Sequence, residues 1–99
     1  MKNIIWTEDA KNDLSKIILF YNERNGNTLY SKKLVDAVKK TLDLLKNHPF
    51  LGLKVKNLDN YRVLIIKNYK IFYKVFPENI EIVLVWDNRQ NPEKIPDKK

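Results

Sequence analysis

Between Tyr61 and Trp86 the chain contains three runs rich in β-branched and aromatic residues: Tyr61 to Ile66, Tyr69 to Phe76 and Ile80 to Trp86. Only two or three residues separate one run from the next. A parallel neighbour needs a crossover of a dozen or more residues, so gaps this short force each strand to lie antiparallel to the one before it. The C-terminal half is therefore predicted to be a three-stranded meander. Its register decides which side chains meet the core and which meet solvent, because successive side chains point to opposite faces.

For the second hairpin, a two-residue turn at Pro77-Glu78 pairs Phe76 with Asn79. It then sets Val75 opposite Ile80, Tyr73 opposite Ile82 and Ile71 opposite Leu84. Lys74 falls across from Glu81 on the other face, a favourable cross-strand pair. A slip by one residue would put Val75 against Glu81 and is rejected. The first hairpin admits two solutions. A three-residue turn, Lys67-Asn68-Tyr69, lets Val63 and Ile65 share the core face with Ile71 and Tyr73; a two-residue turn at Lys67-Asn68 puts Arg62 on the face of Tyr73 instead. The first solution is preferred because it keeps the charge out of the core. One face is then expected to carry Val63, Ile65, Ile71, Tyr73, Val75, Ile80, Ile82 and Leu84.

The N-terminal half changes period. Lys2 to Trp6 reads as a short strand. Thr7 has the character of an N-cap, with Glu8 and Asp9 in the first turn where the helix dipole favours negative charge. Ala10, Leu14, Ile17, Ile18 and Tyr21 follow at helical spacing, and Asn25-Gly26 offers a left-handed stop. A second helix begins at Asn27 or Thr28. Leu34, Val38, Leu42 and Leu45 form its apolar stripe, supported by Val35 and Ala37, and Pro49 ends it. Two amphipathic helices joined by a tight turn make a helical hairpin. Phe50 to Asn60 is read as a loop, and the segment from Asn88, with Pro92 and Pro96, as an irregular tail. The expected fold is α+β over residues 1–99 as a single domain: β-α-α-β-β-β, with the helices packed on one face of one sheet.

Ninety-nine residues, 43% of them hydrophobic, suffice for one core and not for two. The chain has no cysteine and a single histidine, His48, so thiolate chemistry is excluded and neither a metal site nor a cofactor is expected. His48 itself reads as a helix-end residue. No apolar run reaches the roughly 18 residues of a membrane span, and the N-terminal apolar run is too short for a signal peptide, so a cytoplasmic protein is expected. The formal charge of +7 favours an anionic partner: nucleic acid, an anionic membrane surface or an acidic protein.

In the preferred register the face left bare by the helices carries Arg62, Lys70 and Lys74, interleaved with Leu64, Phe72, Val83 and Val85. Arg89 follows the last strand, Lys54 and Lys56 lie in the loop leading in, and Trp86 closes the core. Cations for phosphates and apolar planes for bases suit a nucleic acid, with Lys54, Lys56, Lys74 and a base-stacking Tyr69 as candidate contacts, although Tyr69 also reads as core or rim packing. The same surface suits an acidic, amphipathic protein segment, and lysines on a strand also serve simply as a solvated face.

Several stretches together resemble the RelE/ParE toxins of bacterial type II toxin–antitoxin systems: Ile4 to Ile17, with the pattern IIWTxxAxxDLxxI; Asn47 to Gly52; Tyr61-Arg62; Asn68 to Tyr73 (NYKIFY); and Val85 to Pro92 (VWDNRQNP). The resemblance implies a strand, a helical hairpin and a C-terminal antiparallel sheet, and a cognate antitoxin bound in a hetero-oligomer. It implies either of two activities. RelE-like members cleave messenger RNA in the ribosomal A site, and ParE-like members poison DNA gyrase by binding. Carried over by position, the RelE phosphate-handling groups are Arg62, Lys70 and Arg89. Two guanidinium groups could neutralise a phosphorane, and a lysine could act as a further clamp or base. Leu64 stands where RelE has a second-strand lysine, and the tail lacks the RelE tyrosine. The first expectation is a ribosome-dependent endoribonuclease with these three residues as its catalytic set; the alternative is a gyrase inhibitor without catalysis. A third is a degenerate member that retains only antitoxin binding.

Overall fold

The computed structural model describes residues 2–87. In chain order the elements are β1 (Asn3–Trp6), α1 (Glu8–Asn25), α2 (Leu29–Asn47), β2 (Leu53–Lys54), β3 (Tyr61–Ile66), β4 (Tyr69–Val75) and β5 (Asn79–Asp87). They form one sheet in the order β1-β5-β4-β3-β2, with β1 parallel to β5 and every other neighbour antiparallel. The expected α+β architecture holds. The segment read as an uninterrupted loop contains the two-residue strand β2, which pairs Leu53 with Val63 and Lys54 with Arg62. No described helix is long and apolar enough to cross a membrane.

The helix boundaries follow local chemistry. The Thr7 side-chain oxygen accepts from the Ala10 amide at 3.2 Å, and the same hydroxyl donates to the Ile82 carbonyl at 3.0 Å. One side chain thus caps α1 and ties its start to β5. Gly26 ends α1 at φ 71°, a conformation that costs a residue with a Cβ. The Leu29 amide donates to the Asn27 side chain at 3.0 Å, and Leu34, Val38, Leu42 and Leu45 bury the predicted stripe of α2. These four pack with Ala10 and Tyr21 against Ile66, Tyr69, Ile71, Tyr73, Ile80, Ile82 and Val85 of the sheet, forming one core between two layers.

The register of the first hairpin differs from the preferred one. Ile66 pairs with Tyr69 across a two-residue turn, with Lys67 in the left-handed region at φ 55°. This sends Tyr69 (1% exposed), Ile66 and Leu64 toward the helices, and turns Ile65 (62% exposed) and Val63 to the other face. The physical reason is burial. Two large residues, Ile66 and Tyr69, enter the core, and each is worth roughly 1.5–3 kcal/mol when removed from water. The accompanying cost, Arg62 on the helix-side face, falls at the margin of the sheet, where its guanidinium reaches main-chain carbonyls.

The second hairpin begins as expected, with Val75 opposite Ile80, Lys74 opposite Glu81 and Tyr73 opposite Ile82. The ladder then shifts between Phe72 and Tyr73, so that Phe72 faces Leu84 and Ile71 faces Val85. A β-bulge inserts one extra residue and flips everything beyond it. Val85 therefore enters the core in place of Leu84, and Trp86, paired with Lys70, lies on the open face rather than closing the core.

Tyr73, wholly buried, extends its hydroxyl to the segment after α2. It donates to the Pro49 carbonyl at 3.0 Å and accepts from the Gly52 amide at 2.8 Å. Gly52 leaves no room for a side chain: an added Cβ would lie 2.7 Å from the Tyr73 hydroxyl and 2.8 Å from the Val63 carbonyl oxygen. Burial raises the Tyr73 pKa above its ordinary value, while the Gly52 amide and the nearby Arg62 charge pull against that rise.

At the other side of the sheet, β1 covers β5 only from Asn79 to Ile82. Beyond it the Asp13 carboxylate of α1 accepts from the Val85 amide at 3.0 Å. Burial raises the Asp13 pKa; the Val85 amide opposes the rise, Asp9 adds to it and Lys16 opposes it. Folding is then favoured most while Asp13 is protonated. That contribution is present below the ordinary value of 3.8 and is lost as pH rises through the higher folded value.

Two measurements test these contacts. Tyr73→Phe leaves the Gly52 amide and the Pro49 carbonyl without their partner and should cost about 1–3 kcal/mol in urea unfolding, with Gly52→Ala of similar size through overpacking. Asp13→Asn keeps an acceptor for Val85 but no longer titrates. Urea unfolding across pH should show wild type losing stability relative to this variant as pH rises from about 3.8 through the raised folded value, with no further divergence above it and none at all if Asp13 is unperturbed.

Candidate functional site

The residues singled out in the sequence separate into two groups. Arg62, at the start of β3, points to the helix side, because it lies opposite Tyr73 in the observed register. Its Nη1 donates to the Gly52 carbonyl at 2.7 Å and to the Phe50 carbonyl at 3.3 Å, and its guanidinium carbon sits 4.9 Å from the Phe50 ring centre. Arg62 therefore binds the same segment that Tyr73 binds. Lys54 is its cross-strand partner on β2, and Lys56 follows two residues later.

Lys70 and Lys74 lie on the opposite, open face. Lys74 Nζ is 5.1 Å from the Tyr61 ring centre and 5.4 Å from that of Phe76, and its cross-strand neighbour is Glu81. Lys70 lies between Ile65 and Trp86 in the ladder. Val63, Phe72 and Leu84 share that face with the two lysines, Phe72 itself being buried. Leu64 and Val85, expected there, belong to the core side. The expected gathering of Arg62 with Lys70 on one bare face is therefore corrected: the two-residue turn places the sheet itself between them. Arg89 lies outside the described residues.

Tyr69 is corrected as well. Its side chain is buried beneath the helices, beside Tyr21 and Tyr30, and burial with those neighbouring hydroxyls raises its pKa well above the tyrosine range. A residue so placed cannot stack on a base. Among the described residues no group of three histidine or carboxylate side chains could hold a metal ion.

An open hollow of about 350 Å³ adjoins Arg62, lined also by Lys2, Phe50, Asn60, Val75 and Phe76. Lys2 Nζ donates to the Phe76 and Pro77 carbonyls at 2.8 and 2.7 Å. Both cations that border the hollow thus already bind main-chain oxygens. What this corner presents to solvent is apolar: Phe50, Leu51 and Leu53 are 65%, 45% and 75% exposed. The sequence reading passed over them as loop residues. The signal was present in NHPFLGLK, where large apolar side chains cluster in a segment containing proline and glycine, with no periodicity to bury them.

Residues 4–92 match the family described as the ParE toxin of type II toxin-antitoxin system, parDE. Among solved structures, the chain is similar to one from the chromosomal ParDE toxin–antitoxin system of P. aeruginosa. The TM-score is 0.72 at 19% identity, covering 88% of this chain and 96% of that one. It is also similar to a chain of the E. coli DinJ-YafQ toxin-antitoxin complex, with a TM-score of 0.55 at 13% identity, covering 87% and 91%. At these identities the likeness speaks for the fold. No curated protein sequence matches the chain at a significant level. The family match spans nearly the whole sequence and agrees with the strand, helical hairpin and sheet described above: the chain belongs to the ParE family of type II toxin–antitoxin toxins.

Proposed function

We propose that this ParE-family toxin acts by binding a protein target, DNA gyrase in the ParE branch, rather than by cutting RNA, and that a cognate antitoxin neutralises it. The observation that carries this reading is the placement of Arg62 and Lys70 on opposite faces of the sheet, with the Arg62 guanidinium engaged by the Phe50 and Gly52 carbonyls. A phosphoryl-transfer site needs its cations converging on one phosphate within hydrogen-bond reach. Here one candidate organises a loop and the other borders an apolar strand surface. The family match favours the same branch, and the solved structures of similar fold come from toxin–antitoxin systems, which supports an antitoxin partner. The charge of +7 suits both an acidic antitoxin and an acidic surface on the target.

Induced in bacteria, the toxin should leave messages intact by primer extension while provoking a DNA-damage response, and the purified protein should inhibit gyrase supercoiling. Codon-phased cuts in messages that disappear in Lys70→Ala would overturn the reading. In the supercoiling assay Lys70→Ala should reduce potency by less than about tenfold, short of the roughly 10²–10³ loss expected for a donor to a transition state.

A further inference from the structure

We infer that the hollow bordered by Arg62 and Lys2 is a carboxylate-binding site whose ligand is an Asp or Glu side chain of the cognate antitoxin, an inference that rests on the antitoxin reading and not on the identity of the target. The hollow, of about 350 Å³, is one surface: Arg62, Lys2, Phe50, Asn60, Val75 and Phe76 all line it. That volume lies at the lower end of the range for ligand hollows and takes the end of one side chain.

Its donors are set in advance and only partly used. A guanidinium carries five N–H groups. Those on Nη1 of Arg62 serve the Gly52 carbonyl at 2.7 Å and the Phe50 carbonyl at 3.3 Å, and the guanidinium carbon lies 4.9 Å from the Phe50 ring centre. The loop that holds Arg62 is itself held, since the Tyr73 hydroxyl binds the Pro49 carbonyl and the Gly52 amide. The Nε and Nη2 donors have no hydrogen-bond partner among the described residues. They form the side-on edge of the guanidinium, whose parallel N–H groups match the two oxygens of a carboxylate. Lys2 Nζ has three donors and gives two of them to the Phe76 and Pro77 carbonyls, so one remains. Groups fixed before binding lose little freedom on binding, so more of the contact energy appears as affinity.

Charge and surroundings select the ligand. The hydrogen bonds that Arg62 and Lys2 make all end on neutral main-chain carbonyls, and neither cation has a carboxylate partner among the described residues. Lys54, directly across the β2–β3 ladder from Arg62, adds a further positive charge on the same side of the sheet. A carboxylate from outside would offset that accumulation. The rest of the lining is mostly apolar, which suits an acid group on an aliphatic stem. A nucleic acid needs cations spaced along successive phosphates, and Lys70 and Lys74 lie across the sheet from this hollow. A hydrogen-bonded charge pair mainly slows dissociation. Slow release is the demand on an antitoxin, which must keep the toxin silent, and the charge of +7 draws an acidic partner to this chain.

The test uses purified full-length toxin, with sodium acetate as the probe and sodium chloride holding the ionic strength constant. The Nε–H resonance of Arg62 should shift saturably with acetate in wild type, and acetate should bind more weakly to Lys2→Gln. The second arm is calorimetry with the purified antitoxin from the neighbouring reading frame. Arg62→Lys keeps the charge and a donor for Gly52 but removes the fork, and should weaken antitoxin binding by roughly tenfold or more. One Asp or Glu of the antitoxin, changed to Asn or Gln, should cost a similar factor against wild-type toxin and nothing further against Arg62→Lys. Thermal unfolding checks both toxin variants, and Lys2→Gln takes the place of Arg62→Lys in the cycle if the latter does not fold. Absence of a saturable acetate shift overturns the inference. A saturable shift with inorganic phosphate and none with acetate also overturns it, by assigning the hollow to a phosphate group. Acetate binding with no antitoxin carboxylate coupled to the hollow overturns the choice of partner. An antitoxin that fails to bind wild-type toxin overturns the antitoxin reading itself, while the acetate titration still decides whether the hollow takes a carboxylate.

Discussion

The turn between β3 and β4 sets almost everything else in the molecule. With Lys67 in a left-handed conformation and only Lys67-Asn68 between the strands, Ile66 must face Tyr69, and the alternation of the whole hairpin is decided. Tyr69, Ile71 and Tyr73 go to the helices. Ile65, Lys70, Phe72 and Lys74 go to the other side. Arg62 follows Tyr73 to the helix side because it stands directly across the ladder from it. A single residue more in the turn would reverse the direction of every side chain on β3.

From that choice comes the connection between core and corner. Tyr73 is at once a core residue and the anchor of the segment after α2, since its ring lies among the helices and its hydroxyl reaches Pro49 and Gly52. Arg62 completes the attachment from the neighbouring strand. The buried Tyr73 hydroxyl is hydrogen-bonded on both its donor and acceptor sides, as most buried polar groups are. Packing of the sheet against the helices and placement of the exposed apolar corner are therefore one event, and the geometry of that corner is inherited from the core.

Much of this was legible beforehand. The capping role of Thr7, the stop at Gly26, the stripe of α2 and the first pairs of the second hairpin follow from local rules that tertiary structure had no reason to override. Two features escaped. Both turn lengths at Lys67-Asn68 obey the same local chemistry, and only the sum of burial over Ile66, Tyr69, Ile65 and Val63 separates them. The bulge near Val83 leaves no mark in a run of apolar residues, where a shift by one exchanges Leu84 for Val85 at little visible cost. Those two shifts carried the site assignments with them: Arg62, Trp86 and Val85 each moved to the opposite face from the one expected, and Tyr69 moved from the turn into the core. The family resemblance, carried by residues spread along the chain, was insensitive to register and held.

The short strands at the two margins of the sheet have a consequence for how this protein can meet others. β1 is four residues long and β2 is two, and where β1 runs out, Asp13 occupies the amide of Val85. An open margin is an invitation to another strand, whether from a copy of the same chain or from an unfolded neighbour. Here one margin is closed beyond β1 by a carboxylate seated on the backbone, while at the other β2 covers only Arg62 and Val63 of β3. Strand addition is thereby blocked at Val85, and the outer edge of β3 beyond β2, from Leu64 to Ile66, is the stretch of backbone left for another strand to meet.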